Sequence, residues 1–381
     1  MTDAEEAKLG RLRAELHAAL AANSRIAPAH LVALAAYAPL HALPDSERLL
    51  GRVWPEEVEQ VLTQQLREPL AERAGMASIP RLTAIEAKVS QAVRRQYEEN
   101  PYPRWVSTIR PREAFALETY LLETFPGSAL RPAGTGRDAD VLIAGCGTGQ
   151  HAIETAVTFR SRSVLAVDLS LASLAYAQRK SRELGAPPIE YAQADLMELR
   201  DLGRSFDLVE AGGVLHHLAD PFAGWRVLLG LLRPGGVMRV ALYSEIARRH
   251  VVTARAFIAE RTYGSKASDI RALRQELIAR RDQPWAASVV GSGDFATTST
   301  CRDLLFHVQE HRLSLPQIAG FLEAEGLVFI GLEAGSATRA AYAARFPEDR
   351  AMRNLRAWHV FESENPDTFL GMYQFWVQKP A

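Results

Sequence analysis

Cysteine is nearly absent: Cys146 and Cys301 are the only two in 381 residues. Neither belongs to a metal-ligand or redox pair, which excludes a disulfide framework and predicts no bound metal. So few thiols fit a reducing cytoplasm. An excess of charge is also missing, with 44 Lys and Arg against 45 Asp and Glu and a net charge of −1. The chain therefore lacks a global electrostatic footprint for nucleic acid or an anionic membrane, and neither is expected as a partner. Long apolar runs are lacking too. The most apolar early stretch, Leu31 to Leu40, is far too short to span a bilayer. Met1 to Glu6 is acidic and without the apolar region of a signal peptide. What remains is an ordinary composition, 48% hydrophobic, in a chain long enough for two or three domains and a sizeable core. Composition does not set the oligomeric state.

The chain is organised around Val141 to Gln150, sequence VLIAGCGTGQ. Val141 to Ala144 has the unbroken apolar character of a strand buried on both faces of a parallel sheet. Gly145, Cys146, Gly147, Thr148 and Gly149 turn the chain tightly, and His151 to Phe159 follows with helical spacing of Ile153, Ala156 and Val157. Such a turn lets a ligand touch the backbone, and the helix start offers unpaired N–H groups and a positive dipole end. The spacing is G-x-G-x-G. The third glycine of the dinucleotide fingerprint is replaced by Gln150, which argues against a nucleotide-dependent oxidoreductase.

Further strands follow in order. Ser163 to Leu169 is the second and brings Asp168 to its carboxyl end about twenty residues after the turn, where a carboxylate accepts ribose hydroxyls. Ile189 to Gln193 is the third and ends at Asp195 and Leu196. Phe206 to Ala211 is the fourth, with the exit Gly212 to Leu218, and the segment around Leu232 to Tyr243 supplies a Pro-Gly-Gly turn and the fifth. This ordered set resembles the class I S-adenosylmethionine-dependent methyltransferases, closely over residues 139 to 243. The resemblance implies an enzyme with S-adenosyl-L-methionine as cofactor. Gly145, Cys146 and Gly147 then line the methionine moiety, Asp168 and Leu169 the ribose, and Asp195 and Leu196 the adenine, while Ala211 and Gly212 flank the reacting end. It also implies an α/β fold: a Rossmann-like, doubly wound, seven-stranded sheet whose seventh strand, Thr368 to Val377, is antiparallel.

Residues 1 to 98 read as an N-terminal all-helical domain. Leu9, Leu12, Leu16 and Leu20 form one stripe, Pro28 and Pro55 open further helices, and Thr83 with Glu86 suggests a capping box for a fourth. Residues 99 to 138 form a linker or lid segment, in which residues 132 to 136 are a flexible entry to the core. Residues 139 to 381 form the methyltransferase domain, with helical insertions at about 244–313 and 336–363. Both insertions leave from the carboxyl side of the sheet and can cover the ligand crevice.

Pro101 and Pro103 end the fourth helix and leave a stiff loop presenting Tyr97, Tyr102, Arg104 and Trp105. Its block YEENPYPRW resembles one in bacterial methyltransferases with N-terminal helical domains, and Tyr102, Arg104 and Trp105 are expected at the cofactor. Candidate catalytic groups are His217, Tyr243, Glu245, His307 and Glu310. His307 to His311 also spells H-x-x-E-H, in which two histidines sharing a helix face hold zinc; Asp303 stands one turn earlier. No third ligand is apparent, so a polar cluster facing the acceptor is the preferred reading. The expected reaction is in-line methyl transfer to a nitrogen or oxygen of an unidentified acceptor, with a protein or peptide slightly favoured. A small-molecule acceptor, or cofactor binding without turnover, is the alternative.

Overall fold

The computed structural model describes residues 3–108, 113–131 and 138–381. The entry segment 132–136 lies outside the described residues. The chain forms two compact units, Met1–Ser78 and Ile79–Ala381.

The first unit is helical: α1 (Asp3–Ala21), α2 (Pro28–Ala35), α3 (Glu56–Leu62) and α4 (Glu68–Gly75). Leu16 and Leu20 of the α1 stripe are buried with Leu31, Leu34, Leu49, Val58 and Leu62, and Leu9 and Leu12 pack against them. The last carbonyls of α1 are met by a guanidinium donor, Arg48 to Leu20 O at 2.8 Å and to Ala21 O at 3.4 Å, and Arg52 donates to Ser24 O just beyond at 2.6 Å. Pro28 sits in the first turn of α2, where its missing N–H costs nothing. Pro69 falls early in α4, and the preceding residues Thr63–Arg67 widen into one π-turn.

The second unit is a seven-stranded sheet: β1 (Ala139–Ala144), β2 (Ser161–Asp168), β3 (Glu190–Gln193), β4 (Phe206–Gly212), β5 (Leu232–Leu242), β6 (Val328–Leu332) and β7 (Tyr373–Gln378). Their order is β3-β2-β1-β4-β5-β7-β6, with β7 antiparallel to both neighbours and the others parallel. All six residues of β1 are buried, as expected for a strand covered on both faces. The helices around it are α5 (Lys88–Glu99), α6 (Leu117–Thr124), α7 (Gln150–Thr158), α8 (Leu171–Leu184) and α9 (Pro221–Leu231). The first insertion carries α10 (Arg249–Glu260), α11 (Ala267–Ala279), α12 (Pro284–Val290) and α13 (Thr298–Phe306). It has its own small core around Ala254, Ile270, Leu273, Leu277 and Cys301. After α14 (Leu315–Ala324) and β6, α15 (Ser336–Arg345) and α16 (Leu355–Glu364) make the second. Among the described residues no helix is long and apolar enough to cross a membrane.

Two local expectations change. The Thr83/Glu86 capping box does not form: α5 begins at Lys88 after Ala87, with no side-chain cap. Thr83 Oγ1 instead accepts the Asp195 N–H at 2.8 Å, while Pro80 O and Leu82 N pair with Gln193. The unpaired edge of β3 thus recruits residues 80–83 before a helix can use them. In addition α5, counted from sequence with the N-terminal helices, belongs to the second unit. It packs against α8, and its Glu98 carboxylate accepts the Leu171 N–H at 2.7 Å, capping that helix.

Candidate active site

The strand order reverses between β1 and β4, and the crevice outside the carboxyl ends of the strands opens there. The glycine turn forms its floor. Gly145 and Gly147 have φ of +69° and +52°, a region that side chains disfavour. A Cβ at Gly145 would lie 2.5 Å from a Val214 methyl, and one at Gly147 3.0 Å from the Tyr102 carbonyl oxygen. Asp168 clamps the turn to the end of β2, its Oδ2 accepting the Gly147 N–H at 2.8 Å and its Oδ1 the Ser170 N–H at 2.9 Å. Burial pushes the Asp168 carboxyl up, and these backbone donors pull against it.

The resulting cavity is about 560 Å³. Of the residues singled out from sequence, Gly145, Cys146, Gly147, Asp168, Leu169, Asp195, Leu196, Gly212, Tyr102, His217 and Tyr243 line it. Others lie elsewhere. Ala211 is buried in the core. Arg104 is exposed over the Tyr176 ring, 5.6 Å from its centroid. Trp105 is buried, its indole N–H donating to Thr148 O at 3.2 Å, and so pins the loop to the glycine turn. Glu245 is exposed, with its N–H on Leu313 O. Tyr97 of the aromatic loop and Asp303 of the acceptor-facing cluster line it too, and it also takes in residues not assigned from sequence: Gln150, His151 and Glu154 of α7, and Met372 and Gln374 around the start of β7. His151 follows the glycine turn directly, and that adjacency was a usable signal. Met372 and Gln374 had none, because only the pairing of β7 with β5 brings them here.

The wall away from the glycine turn is aromatic. His217 Nδ1 is 2.7 Å from Gln309 O, so Nδ1 carries the proton; among the described residues no hydrogen bond reaches Nε2. Its ring stacks on His307 at 3.6 Å and stands edge-on to Tyr243. The Gln309 N–H donates to His307 Nδ1 at 3.1 Å, which leaves Nε2 as the protonated nitrogen of that neutral ring. It lies 3.1 Å from the Tyr97 hydroxyl, which in turn donates to Asp303 Oδ1 at 2.9 Å. Burial holds His217 down to about 3 and His307 down to about 2, and drives buried His216 well below its ordinary value. These rings are neutral at physiological pH, so His217 offers a lone pair and not a charge.

A pH dependence of stability follows. In the unfolded chain the three imidazoles protonate near pH 6.5, whereas in the native state they do so only at much lower pH. Below pH 6.5 the unfolded state therefore binds more protons, and stability falls by ~1.4 kcal/mol per pH unit per ring. Asp303 acts oppositely. Burial raises it to about 6, so between pH 6 and 4 its protonation favours the native state, and Asp168 and Glu362, also raised by burial, act in the same direction. Urea unfolding is expected to show a net loss of stability from pH 7 to pH 4.5, with a shallower slope in His217→Gln. A flat profile in the wild type would mean that these rings are not buried as neutral groups.

Glu310 and His307 have other surroundings than the H-x-x-E-H pattern requires. α13 ends at Phe306, and residues 307–311 leave it as irregular chain, so the two histidines do not share a helix face. The Glu310 side chain is 1% exposed and paired with Arg248 at 2.7 Å and Arg255 at 2.9 Å, away from the cavity. His311 bonds Gln309 Nε2 at 2.9 Å.

The cavity suits a cation. Four carboxylates line it (Glu154, Asp168, Asp195 and Asp303), and no Lys or Arg does among the described residues. With the glycine turn and the acids at the ends of β2 and β3, this fits S-adenosylmethionine, whose sulfonium is positive. The sheet and its crevice have the architecture of a Rossmann-like methyltransferase domain. Residues 141–236 match the family model described as a methyltransferase domain. An uncharacterized protein of Synechococcus is 29% identical over 262 residues, 65% of this chain and 61% of that protein. Trans-aconitate 2-methyltransferase of Deinococcus radiodurans is 36% identical over 102 residues, 27% of this chain and 37% of that enzyme. The chain thus spans less than two thirds of these relatives. The solved structure of PKMT2 from Rickettsia typhi shares the fold with a TM-score of 0.53 at 17% identity, over 71% of this chain and 54% of that one. PKMT2 has also been solved in complex with S-adenosylhomocysteine.

Proposed function

We propose that the protein is a methyltransferase acting on a nitrogen or oxygen nucleophile of a neutral or cationic acceptor, with a protein or peptide favoured over a small metabolite. The observation that carries this is one cavity joining the glycine turn and the acids of β2 and β3 to an aromatic wall, with no Lys or Arg in its lining among the described residues. Bound S-adenosylmethionine supplies an electrophilic methyl group on its sulfonium. The chain's own residues do the rest. Gly145 to Gly147 present backbone to the methionine moiety, Asp168 and Leu169 hold the ribose, and Asp195 and Leu196 face the adenine. Each Asp168 oxygen already accepts one backbone N–H and keeps a lone pair for a ribose hydroxyl.

At the aromatic wall, His217 Nε2 accepts a hydrogen bond from the acceptor and so aims its lone pair, while Tyr97, Tyr102 and Tyr243 exclude water. Orientation of this kind contributes on the order of 7–11 kcal/mol. Trans-aconitate, named for the Deinococcus relative, is a poor model for the acceptor here, because a carboxylate would meet an acid-lined cavity in which no described residue is a Lys or Arg. The two insertions supply surface beyond the methyl-transfer core, which supports a bulky acceptor. Incubating the protein and cell extract with methyl-labelled S-adenosylmethionine is expected to put label into a protease-sensitive macromolecular fraction. Label in a low-mass fraction would replace this acceptor class with a metabolite. Binding of S-adenosylhomocysteine without any labelling would reduce the protein to a cofactor-binding one.

A further inference from the structure

Asp303 is the lining acid that the cofactor does not explain. It comes from α13 in the first insertion, 7% exposed, and is brought to the cavity beside Tyr97 of α5. Both of its protein donors use the same oxygen: Tyr97 O–H at 2.9 Å and Gln96 Nε2 at 3.3 Å bond Oδ1. Among the described residues nothing bonds Oδ2. The second oxygen of this carboxylate is thus left by the protein for a donor from the cavity. Tyr97, Tyr102 and neutral His217 line the same space. Tyr102 is held there by its hydroxyl on Asp294 Oδ1 at 2.8 Å, whereas the Tyr243 ring is already packed by the Arg248 guanidinium 3.7 Å from its centroid and by the His216 ring stacked at 4.0 Å.

A carboxylate beside tyrosine rings is chemistry that recognises an alkylammonium group. We propose that Asp303 and its aromatic walls form an ammonium subsite that binds the acceptor as a primary amine and takes its proton. This deepens, and rests on, the methyltransferase function proposed above. One N–H proton passes to Asp303 Oδ2, the carboxylate becomes a carboxylic acid, and the nitrogen keeps the electron pair; when that pair forms the N–C bond to the methyl group, the methyl C–S bond would break and its pair stay on sulfur as the neutral thioether of S-adenosylhomocysteine. A hydroxyl acceptor would need a far stronger base. The groups facing Asp303 are Tyr97 and Gln96 from α5, Asp294 from the turn before α13, Arg248 at the start of α10, Glu310 beyond α13, and His307 through Tyr97. Burial, then Asp294 and Glu310, raise the Asp303 carboxyl to about 6 against Tyr97 and Arg248. It is ionised at pH 7.5 and protonates as the pH falls through about 6, so ammonium binding weakens in that direction. That range also suits proton transfer near neutrality.

The test uses the full chain saturated with S-adenosylhomocysteine, with n-butylammonium and 1-butanol as probes in ligand-observed NMR titrations. At pH 7.5 the wild type is expected to bind n-butylammonium at least about tenfold tighter than 1-butanol, and to lose most of that preference at pH 5. Asp303→Asn is expected to abolish the preference while leaving S-adenosylhomocysteine affinity and the melting transition close to wild type. Asp303→Glu, which restores the charge, is expected to recover it. Equal binding of the two probes by the wild type, or a preference that survives Asp303→Asn, overturns the ammonium subsite and leaves the cofactor site standing. Failure of the wild type to bind S-adenosylhomocysteine overturns both.

Discussion

Asp168→Ala is expected to weaken S-adenosylhomocysteine binding by two orders of magnitude or more. The carboxylate has two duties. It accepts the Gly147 and Ser170 N–H groups at 2.8 and 2.9 Å, and so holds the glycine turn against the end of β2. It also faces the cavity, where the ribose is proposed to sit. Charge-assisted hydrogen bonds contribute about 1.5–3 kcal/mol each, and a buried donor left without a partner costs about 1–3 kcal/mol. Two lost ribose bonds alone therefore approach a hundredfold or more in Kd. Asp168→Asn keeps the shape and one acceptor oxygen, and should fall between wild type and alanine. Calorimetry decides the matter: an Asp168→Ala protein that binds S-adenosylhomocysteine as wild type does would remove Asp168 from the site.

The second large effect is on stability. Glu310→Ala is expected to destabilise the second unit by about 3–5 kcal/mol, because breaking a buried ion pair strands the remaining charge. Here two charges are stranded. Arg248 and Arg255 both bond Glu310 Oε2, at 2.7 and 2.9 Å, and Arg312 stands 3.8 Å from Oε1. The Arg248 side chain is 7% exposed, so water cannot substitute for the carboxylate. Arg248 also stacks on Tyr243, so part of the loss should reach the aromatic wall. Urea unfolding measures the effect. A Glu310→Ala protein of near-native stability but abolished methyl transfer would assign Glu310 to the chemistry, as the H-x-x-E-H pattern first suggested.

The fold was legible to the extent that its signals are local. A buried apolar strand, a glycine turn and an amphipathic helix occupy Val141 to Phe159 without a gap, and each strand that follows carries its own apolar run and stop. The acids Asp168 and Asp195 were legible for the same reason, since a strand end fixes where its last side chains go. Pro28 and the α1 leucine stripe likewise act within one or two turns.

What the sequence by itself determined, then, is the sheet, the glycine turn and the acids at the strand ends, because each depends on neighbours a few residues away. Tertiary structure alone decided the far wall. Gln96 meets Asp303 across 207 residues, His217 meets Gln309 across 92, and Arg248 meets Glu310 across 62. Whether Thr83 caps a helix or an edge strand, and whether Glu310 faces a cavity or two arginines, depends on which segment arrives beside it. A buried polar group is stable only with a partner, and the partner comes from elsewhere in the fold. Asp303 shows this most plainly: its residue type was visible, but its free oxygen exists only because both Tyr97 and Gln96 approach from the same side.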